Sequence, residues 1–287
     1  MISSRPRLRR NVDLTWLNAY RLEAKADLCA FPRTTEDLLA LSGRPWSVIG
    51  GGHNLILSKP RYGAGQPLLC LREFDRGIAR RGVSLTAGAG ASLRALCLVA
   101  AEHGLAGLES LWDIPSTLGG AVVMNAGAYG RSIHEMVESV EVMDMRDGRH
   151  IVLDQDDLAS GYRKSALMDG TRVVTGVRLK LAASEPASVR QAMRSVALRR
   201  RRRFPYHQPN AGSVFKRPPD RPVGWMIEQL GLKGATQGGA VISPLHGGFI
   251  VNRGDATGAD ILALARRMQD AVAKRFSTVI ELEQVIV

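Results

Sequence analysis

The stretch WSVIGGGHNLILS, residues 46–58, decides how the first part of the chain folds. An apolar run leads into three glycines, and a second apolar run follows almost at once. A dinucleotide-binding fingerprint would open a helix after its glycines, whereas this pattern predicts strand, loop and strand. Glycine lets backbone N–H groups approach an anion because it has no Cβ. We therefore predict an anion-binding loop, with an ordinary strand turn as the alternative; its residues are Gly50, Gly51, Gly52, His53 and Asn54.

A second glycine-dense segment, GLESLWDIPSTLGGAVVMNAGAYG, covers residues 107–130. It has too many glycines for one long helix and too many apolar residues for a solvent-exposed loop. We expect it to cross a packed interior and to offer a second backbone surface to a large planar or phosphorylated cofactor. Close packing of a loop on a sheet is the alternative. The candidate positions are Gly119, Gly120, Asn125, Gly127 and Gly130.

Length and charge narrow the class of protein. The 287 residues suffice for two or three modules, and the 45% hydrophobic content is typical of a folded, soluble protein. Much of the net charge of +12 comes from Arg5, Arg7, Arg9, Arg10 and the run 199–203. Such charge attracts nucleic acid or a phosphate-bearing small substrate. A solvated basic face explains the N-terminal cluster. The second run leads into NAGSVFKRP, residues 210–218, and for that run we favour binding of an anionic partner over a solvated face.

Cysteine usage and hydropathy indicate a cytosolic protein. Cys29, Cys70 and Cys97 are odd in number and far apart, so we expect reduced, partly buried thiols and neither disulfides nor a metal site. The histidines form no metal-ligand spacing either. The basic N-terminal residues lead into no apolar signal core, and no stretch approaches the roughly 18 apolar residues of a membrane helix.

Patterning predicts alternating helices and strands. Helices are expected after a Thr cap near residue 34, over 92–103, 189–203 and 223–231, and over 259–276 behind a Thr257–Asp260 capping box. Strands are expected over 83–90, 137–144, 172–181 and 240–252, the last interrupted by a turn. A final strand is expected over 278–287, where Glu281 and Glu283 would share one face.

Four polar residues are candidates for chemistry, each with a simpler interpretation. An arginine at the place of Arg163 in GYRKS, residues 161–165, is more often a surface or ion-pair residue than a catalytic one. Ser213 in NAGSVFKRP follows a glycine and is either a strand serine or a group held at a reaction centre. Glu281 and Glu283 fit a solvated strand edge equally well.

Seven segments in order resemble the UDP-N-acetylenolpyruvoylglucosamine reductases, flavoenzymes of bacterial cell-wall (peptidoglycan) synthesis. The resemblance runs from about Asn18 to the C-terminus and fits the shorter, second subtype of the family. Any one segment would be a weak signal, but seven in the family's order are a specific one. They are GGGHNLIL (50–57), GLESLWDIPSTLGGAVVMNAGAYG (107–130), GYRKS (161–165), NAGSVFKRP (210–218), GLKG (231–234), HGGFIVN (246–252) and ELEQV (281–285).

The resemblance implies an α+β protein. A two-part FAD-binding domain of the vanillyl-alcohol-oxidase (PCMH) type would cover residues 1–70 and 71–190, and a smaller α/β substrate domain residues 191–287. It further implies that NADPH reduces FAD, which then passes hydride to the vinyl terminus of UDP-N-acetylglucosamine enolpyruvate. The implied partners are therefore the UDP-sugar substrate and NADPH, in the cytoplasm and without a membrane.

The resemblance also assigns roles. The loop 50–54 would hold the FAD pyrophosphate, Arg163 would stabilise the enolate-like carboxylate, Glu283 would orient it or supply a proton, and Ser213 would protonate the neighbouring carbon. The other implied FAD contacts are Pro115, Ser116, Thr117, Gly119, Gly120, Asn125 and Gly127. Tyr162, Lys216, Arg217 and the preceding arginines would bind the substrate's carboxylate and diphosphate.

Departures from the family pattern keep alternatives open. His53 replaces a usual Ser, Arg217 a usual Asn and Gln284 a usual Val, while Trp112 and Asp113 are bulky or charged beside the expected flavin. Glu281 is therefore the alternative to Glu283. A second reading is a flavoenzyme of the same fold with another substrate. A third is a basic nucleic-acid-binding protein, against which the arginines lack interleaved aromatics and no known binding module is found.

Overall fold

The computed structural model describes residues 6–287, so Arg5 of the basic N-terminal cluster lies outside the described residues. The chain divides into two compact units. Unit 1 contains the segment up to Arg10, Leu28–Gly51 and Gln66–Arg199, and unit 2 contains Asn11–Asp27, Gly52–Gly65 and Arg200–Val287. Each unit is therefore built from several separate stretches of sequence. The boundaries near residues 70 and 190 remain predictions.

Six α-helices, five short 3-10 helices and nineteen strands are present in residues 6–287. The α-helices are α1 (Thr35–Leu39), α2 (Leu93–Glu102), α3 (Leu118–Val123), α4 (Pro186–Arg201), α5 (Val223–Gln229) and α6 (Gly258–Phe276). The 3-10 helices are Thr15–Leu17, Leu71–Glu73, Glu109–Leu111, Ile133–Met136 and Asp156–Leu158. The strands are β1 (Arg7–Asp13), β2 (Lys25–Phe31), β3 (Ser47–Ile49), β4 (Leu55–Ile56), β5 (Arg61–Tyr62), β6 (Leu68–Cys70), β7 (Ile78–Arg81), β8 (Ser84–Gly88), β9 (Leu105–Ala106), β10 (Gly127–Ala128), β11 (Arg131–Ser132), β12 (Val137–Asp144), β13 (His150–Asp154), β14 (Arg172–Lys180), β15 (Ala182–Ala183), β16 (Thr236–Gln237), β17 (Ala240–Ile242), β18 (Ile250–Asn252) and β19 (Val285–Ile286).

Unit 1 contains a small parallel sheet. β6 lies between β2 and β3, with Cys29 opposite Leu68 and Val48 opposite Leu69. All three residues of β6 are buried, as expected of a strand between two neighbours. The Oγ1 atom of Thr34 caps α1 by accepting a hydrogen bond from the Asp37 N–H, which confirms the helix start predicted from the Thr and its acidic neighbours.

A five-stranded antiparallel sheet forms the other part of unit 1, in the order β13-β12-β14-β8-β7. Its core is aliphatic, with Val140, Val142, Val177 and Leu179 almost completely buried. The chain leaving β8 runs alongside the start of α3, where a Cβ on Gly119 would lie 2.9 Å from the Ala89 Cβ. Only glycine permits this approach, so α3 is held close to the end of β8.

Unit 2 combines α5 and α6 with a three-stranded antiparallel sheet, β16-β17-β18. The predicted capping box of α6 is present, because Thr257 Oγ1 accepts from the Asp260 N–H and Asp260 Oδ2 accepts from the Thr257 N–H. Its buried face comprises Ile261, Leu264, Ala265, Met268 and Val272, the stripe predicted from sequence.

Two features differ from the sequence prediction. The prediction of a long final strand over residues 278–287 was wrong. Beyond an isolated bridge between Phe215 and Leu282, only β19 is a strand in this range, and it pairs in parallel with β4. Glu281 and Glu283 therefore do not sit on one regular strand face. The three cysteines are free and fully buried, more so than predicted, and burial raises the pKa of the Cys29 and Cys97 thiols to about 12.

No helix within residues 6–287 is both long and apolar enough to cross a membrane.

Gly258 tests the packing at the start of α6. A Cβ at this position would lie 1.9 Å from the Leu57 carbonyl oxygen, although alanine is the better helix former by about 1 kcal/mol. We expect Gly258→Ala to lower the free energy of unfolding by more than about 2 kcal/mol, because the backbone of Leu57 must move. Urea unfolding measures this change in the free energy of unfolding. Gly65→Ala, where nothing lies within 4 Å of a Cβ, is the matched control and should change stability by less than about 0.5 kcal/mol. A stabilised Gly258→Ala protein would contradict this packing.

Candidate functional site

In unit 1 the two predicted glycine segments meet. A Cβ built on Gly50 would lie 3.8 Å from Thr117 Oγ1 and 3.9 Å from Gly120 Cα. A Cβ on Gly120 would lie 3.3 Å from Thr117 Oγ1 and 3.5 Å from Ser116 Oγ. No side chain of either glycine separates the segments, so the two backbones approach to within van der Waals contact of a single added Cβ. We call the surface beside this contact, formed by Gly50, Ser116, Thr117 and Gly120, the slot. Backbone N–H groups and a hydroxyl donor suit a phosphate or pyrophosphate group.

The hydrogen-bond donors at the start of α3 have two roles: two N–H groups hold the helix in place, and one hydroxyl is left for a ligand. The N–H groups of Leu118 and Gly119 donate to the carbonyls of Ala91 and Ala89, at 2.7 and 2.9 Å, and so fasten the helix to the chain after β8. Thr117 Oγ1 accepts from the Gly120 N–H at 3.4 Å, which leaves the hydroxyl proton of Thr117 for an acceptor in the slot. The chemistry of these groups suits the pyrophosphate of FAD. At Gly119 the structure shows the alternative given in the sequence analysis, the close packing of a loop on a sheet.

Arg163 occupies a tight turn in the same unit. The N–H of Gly161 bonds to the Lys164 carbonyl and the N–H of Lys164 to the Gly161 carbonyl, so Tyr162 and Arg163 form a two-residue turn. Arg163 has φ of 53°, a left-handed conformation that non-glycine residues rarely adopt. Its Nη1 and Nη2 atoms donate to the carbonyls of Asn125 and Gly127 at 3.2 and 2.6 Å. The guanidinium, which also lies over the Tyr162 ring, is therefore fixed in place.

Asn125 and Gly127 belong to the structure that carries Arg163. The Asn125 side chain donates to the Gly161 carbonyl at 2.8 Å, so the predicted FAD residue is also the tether of the turn. A Cβ on Gly127 would lie 2.4 Å from the Arg131 carbonyl oxygen, which explains the glycine in the β10–β11 hairpin. FAD contacts of these two residues remain predictions. His134, which no sequence pattern singled out, is buried beside Asn125 and donates its backbone N–H to the Asn125 Oδ1 atom.

Trp112 and Asp113, which depart from the family pattern, lie at the end of a 3-10 helix in unit 1. The Arg94 guanidinium from α2 stacks over the Trp112 ring at 4.9 Å from its centroid. The bulky ring is thus partly covered by a neighbouring helix.

Unit 2 contains the rest of the first glycine loop. Gly52 has φ of 76°, and a Cβ there would lie 2.0 Å from the Leu17 carbonyl oxygen, so no other residue fits. Asn54 Nδ2 donates to the Glu283 carbonyl at 3.0 Å, and the Val285 N–H donates to the Asn54 carbonyl at 2.9 Å. Asn54 therefore fixes the backbone that carries Glu283. His53 is partly buried beside it.

Ser213 is exposed on a constrained loop of unit 2. Gly212 before it has φ of 82°, and Asn210 Oδ1 accepts from the Gly212 N–H at 3.0 Å. The Glu283 N–H donates to the carbonyl of Val214 at 2.9 Å, so Glu283 lies beside the residue that follows Ser213.

Lys216 pairs with the other glutamate. Its Nζ atom lies 3.1 Å from Glu281 Oε2, and the Glu281 side chain is 70% exposed. Glu283 is half-buried, whereas the Glu281 side chain is exposed and pairs with Lys216. The assignment of Glu283, with Glu281 as its alternative, stays a prediction. Arg217 is exposed.

Gln284 supports the loop of Ser213 and was noticed in the sequence only as a departure from the family pattern. Its Nε2 atom donates to the carbonyls of Ala211 and Gly212, both at 3.2 Å, and its Oε1 atom accepts from the Tyr20 hydroxyl at 3.0 Å. Tyr20 is completely buried, and desolvation raises the pKa of its phenol well above the usual range. No periodicity in the sequence connects residues 20 and 284, so this link was not predictable from it.

The predicted residues thus fall into two groups. Unit 1 holds Gly50, Gly51, Pro115, Ser116, Thr117, Gly119, Gly120, Asn125, Gly127, Tyr162 and Arg163, and unit 2 holds Gly52, His53, Asn54, Ser213, Lys216, Arg217 and Glu283. Within unit 1, the structure brings together the slot residues and, separately, Arg163 with Asn125 and Gly127. Within unit 2, it brings together Asn54, Glu283 and the Ser213 loop. Pro115 and Tyr162 are exposed.

Comparison with known proteins identifies the family of this chain. The FAD binding domain family matches residues 26–154, and the family of the C-terminal domain of UDP-N-acetylenolpyruvoylglucosamine reductase matches residues 204–287. The UDP-N-acetylenolpyruvoylglucosamine reductase of Moorella thermoacetica is 40% identical over 279 residues, covering 95% of this chain and 91% of its own. This chain belongs to the UDP-N-acetylenolpyruvoylglucosamine reductase family.

Two further members show the same extent of similarity. The reductase of a Synechococcus species is 38% identical and covers 96% of this chain and 90% of its own. The crystal structure of the reductase of Thermus caldophilus matches with a TM-score of 0.85 at 35% identity, over 98% of this chain and 99% of that one. The predicted family, the α+β fold with an FAD-binding domain and the class of FAD-dependent oxidoreductase are confirmed. Nucleic-acid binding finds no support in these matches.

Gln284 offers a test of how the Ser213 loop is held. Replacing it by Leu leaves the buried Tyr20 hydroxyl and the carbonyls of Ala211 and Gly212 without their partner, and each loss costs about 1–3 kcal/mol. We expect Gln284→Leu to lower the free energy of unfolding by about 3 kcal/mol in urea titrations, and Tyr20→Phe by about 1 kcal/mol. Gln229→Leu makes the same change on the exposed side of α5 and should cost less than about 0.5 kcal/mol. Equal losses for Gln284→Leu and Gln229→Leu would contradict the assignment.

Proposed function

We propose that this chain reduces the enolpyruvyl group of UDP-N-acetylglucosamine enolpyruvate to give UDP-N-acetylmuramate, using NADPH and FAD, in cytoplasmic peptidoglycan synthesis. The observation that carries the proposal is family membership over nearly the whole chain. Arg163, Ser213 and Glu283 stand at the positions where the family's motifs place the reacting groups. The slot, with its Thr117 hydroxyl, supports the cofactor.

FAD would be held through its pyrophosphate by the slot in unit 1. Thr117 would donate its hydroxyl proton to a phosphate oxygen, and the glycines would allow the phosphates to lie against the backbone. When bound, FAD takes up hydride from NADPH and supplies it to the vinyl terminus of the substrate.

Arg163 would stabilise the charge that develops in the substrate. Addition of hydride to the vinyl terminus leaves negative charge that spreads into the adjacent carboxylate. A guanidinium held by two backbone carbonyls costs little reorganisation when this charge forms, and such preorganised donors are typically worth about 3–4 kcal/mol. Its planar fork also matches a carboxylate.

Ser213 and Glu283 would complete the reaction. Ser213 would protonate the carbon next to the carboxylate, because its hydroxyl is small and lies exposed on a loop fixed by Gly212 and Asn210. Glu283 would orient the substrate or return a proton to Ser213. Tyr162, Lys216 and Arg217 would bind the carboxylate and the diphosphate, which accounts for part of the basic charge.

Turnover tests the proposal directly. The purified protein should be yellow, and under anaerobic conditions it should oxidise more than one equivalent of NADPH per flavin only when the enolpyruvyl sugar nucleotide is added. A colourless protein that gains no flavin absorbance with FAD would contradict the FAD site. A yellow protein that oxidises NADPH without consuming this substrate would indicate a flavoenzyme of the same fold with another substrate.

Ser213 is expected to affect only one half-reaction. Reduction of the flavin by NADPH requires no proton donor at the substrate carbon, so Ser213→Ala should bleach with NADPH at a nearly normal rate. Reoxidation by the enolpyruvyl substrate requires that proton, and it should slow by about 10²–10⁴-fold. Stopped-flow absorbance follows both steps. If reoxidation stays within a few-fold of the parent while FAD content is unchanged, Ser213 is an ordinary loop serine.

Arg217 is expected to act on substrate affinity. Its place beside Ser213 and Lys216 suits the substrate diphosphate, so Arg217→Ala should raise the KM for the sugar nucleotide by about tenfold or more and leave the KM for NADPH much less affected. Steady-state kinetics with each substrate varied in turn measures this. Arg266→Ala removes an equal charge from the exposed side of α6 and should change neither KM. Equal effects on both substrates would refute the assignment.

A further inference from the structure

Four residues of unit 1 other than glycine have left-handed backbone conformations close to the Arg163 turn in sequence or in space. Asn125 has φ of 42°, Tyr129 of 55°, Ala159 of 43° and Arg163 of 53°. A non-glycine residue in this region costs about 1–2 kcal/mol. Such conformations persist only where the surrounding contacts hold them, and Asn125 and Arg163 contact each other directly.

Asn125 bonds to both parts of the turn. Its Nδ2 atom donates to the Gly161 carbonyl and its own carbonyl accepts from Arg163 Nη1, so one residue fixes the backbone and the guanidinium together. Its Oδ1 atom accepts from the His134 N–H at 3.3 Å, and the residue is 5% exposed. Both ends of the Asn125 amide are therefore engaged inside the protein.

His134 links the turn to α3. Its Nε2 atom lies 2.7 Å from the Val122 carbonyl oxygen, which can only accept, so this nitrogen carries the proton. Its Nδ1 atom then accepts from the hydroxyl of Ser160 at 2.6 Å, and Ser160 is the residue directly before Gly161 in the turn. Burial lowers the pKa of the imidazole, which keeps it in this neutral form. Ser165 closes the arrangement by donating to the Val123 carbonyl at 2.6 Å.

We propose that Asn125 and His134 are positioning residues that hold the Arg163 guanidinium in its reactive orientation through the turn 161–164. Hydrogen bonds to α3 on both sides of the turn, and to Arg163 itself, leave the guanidinium little freedom. A displacement of about 1 Å can cost about 100-fold in rate, so the loss of these bonds acts on catalysis through Arg163. The inference rests on the proposed role of Arg163.

The first experiment compares Asn125→Gly, His134→Leu and His134→Gln in the FAD-loaded protein. Glycine keeps the left-handed conformation and removes only the side-chain bonds. Asn125→Gly and His134→Leu should slow flavin reoxidation by the enolpyruvyl substrate about tenfold or more. FAD content and reduction by NADPH should stay close to normal, because both ends of the Asn125 amide bond within the protein and glycine keeps the backbone groups that would contact FAD. Gln, which retains a donor and an acceptor, should restore part of the rate. If His134→Leu fails to fold, Asn125→Gly decides alone.

A matched control separates positioning from stability. Cys97→Ala removes another buried side chain of unit 1 that bonds to a carbonyl, that of Leu108 at 3.3 Å. It should lower the melting temperature without changing the reoxidation rate. If all variants slow reoxidation in proportion to their loss of stability, the positioning proposal is overturned.

A double-mutant cycle tests whether Asn125 affects the reoxidation rate through Arg163. Arg163→Ala should itself slow reoxidation by about 10²–10³-fold. Adding Asn125→Gly to Arg163→Ala should then slow it by less than about threefold, because the group being positioned is gone. Fully multiplicative effects would overturn the proposal.

Amide hydrogen exchange supplies a readout that needs no turnover. The peptide covering residues 160–166 should exchange faster in Asn125→Gly than in the parent, and at the parent rate in Cys97→Ala. Unchanged exchange in Asn125→Gly overturns the positioning proposal. If the parent does not reduce the enolpyruvyl sugar nucleotide, the proposed function fails and the exchange measurement alone decides the positioning proposal.

Discussion

The short helix α3 is the element on which the proposed site of unit 1 depends. Its first two N–H groups are fastened to the carbonyls of Ala91 and Ala89, and Gly119 lets it approach the end of β8. Its start borders the slot with Gly50, and its last carbonyls receive His134 and Ser165. Because one rigid element carries both regions, a small movement of α3 would disturb the slot and the Arg163 turn together.

Unit 2 uses a buried amide for the same purpose. Gln284 joins Tyr20 to the backbone just before Ser213, and Asn54 holds the carbonyl of the neighbouring Glu283. In an interior of low dielectric, amides with every partner present confine a loop more strictly than apolar contacts do. Ser213 can therefore stay exposed to a substrate although its surroundings are fixed.

Some of this was accessible from sequence alone. The Thr257–Asp260 capping box, the apolar stripe of α6 and the strand-loop-strand around the first glycines depend on local spacing, and all are present. The prediction of a final strand was wrong, because the alternating residues 278–287 pair only with β4 and through one isolated bridge. Strand formation requires a neighbouring strand, which local alternation does not supply.

The sequence by itself determined the family, the FAD-binding fold and the identity of the motif residues, because ordered motifs and local periodicity are properties of the chain. Only the tertiary structure decided what those residues touch: Gly119 packs against Ala89, Asn125 holds Arg163, and Glu281 pairs with Lys216. These contacts join residues far apart in the chain. Hydrogen bonds and close approaches of this kind depend on distances of a few tenths of an ångström, which are set only when the elements pack.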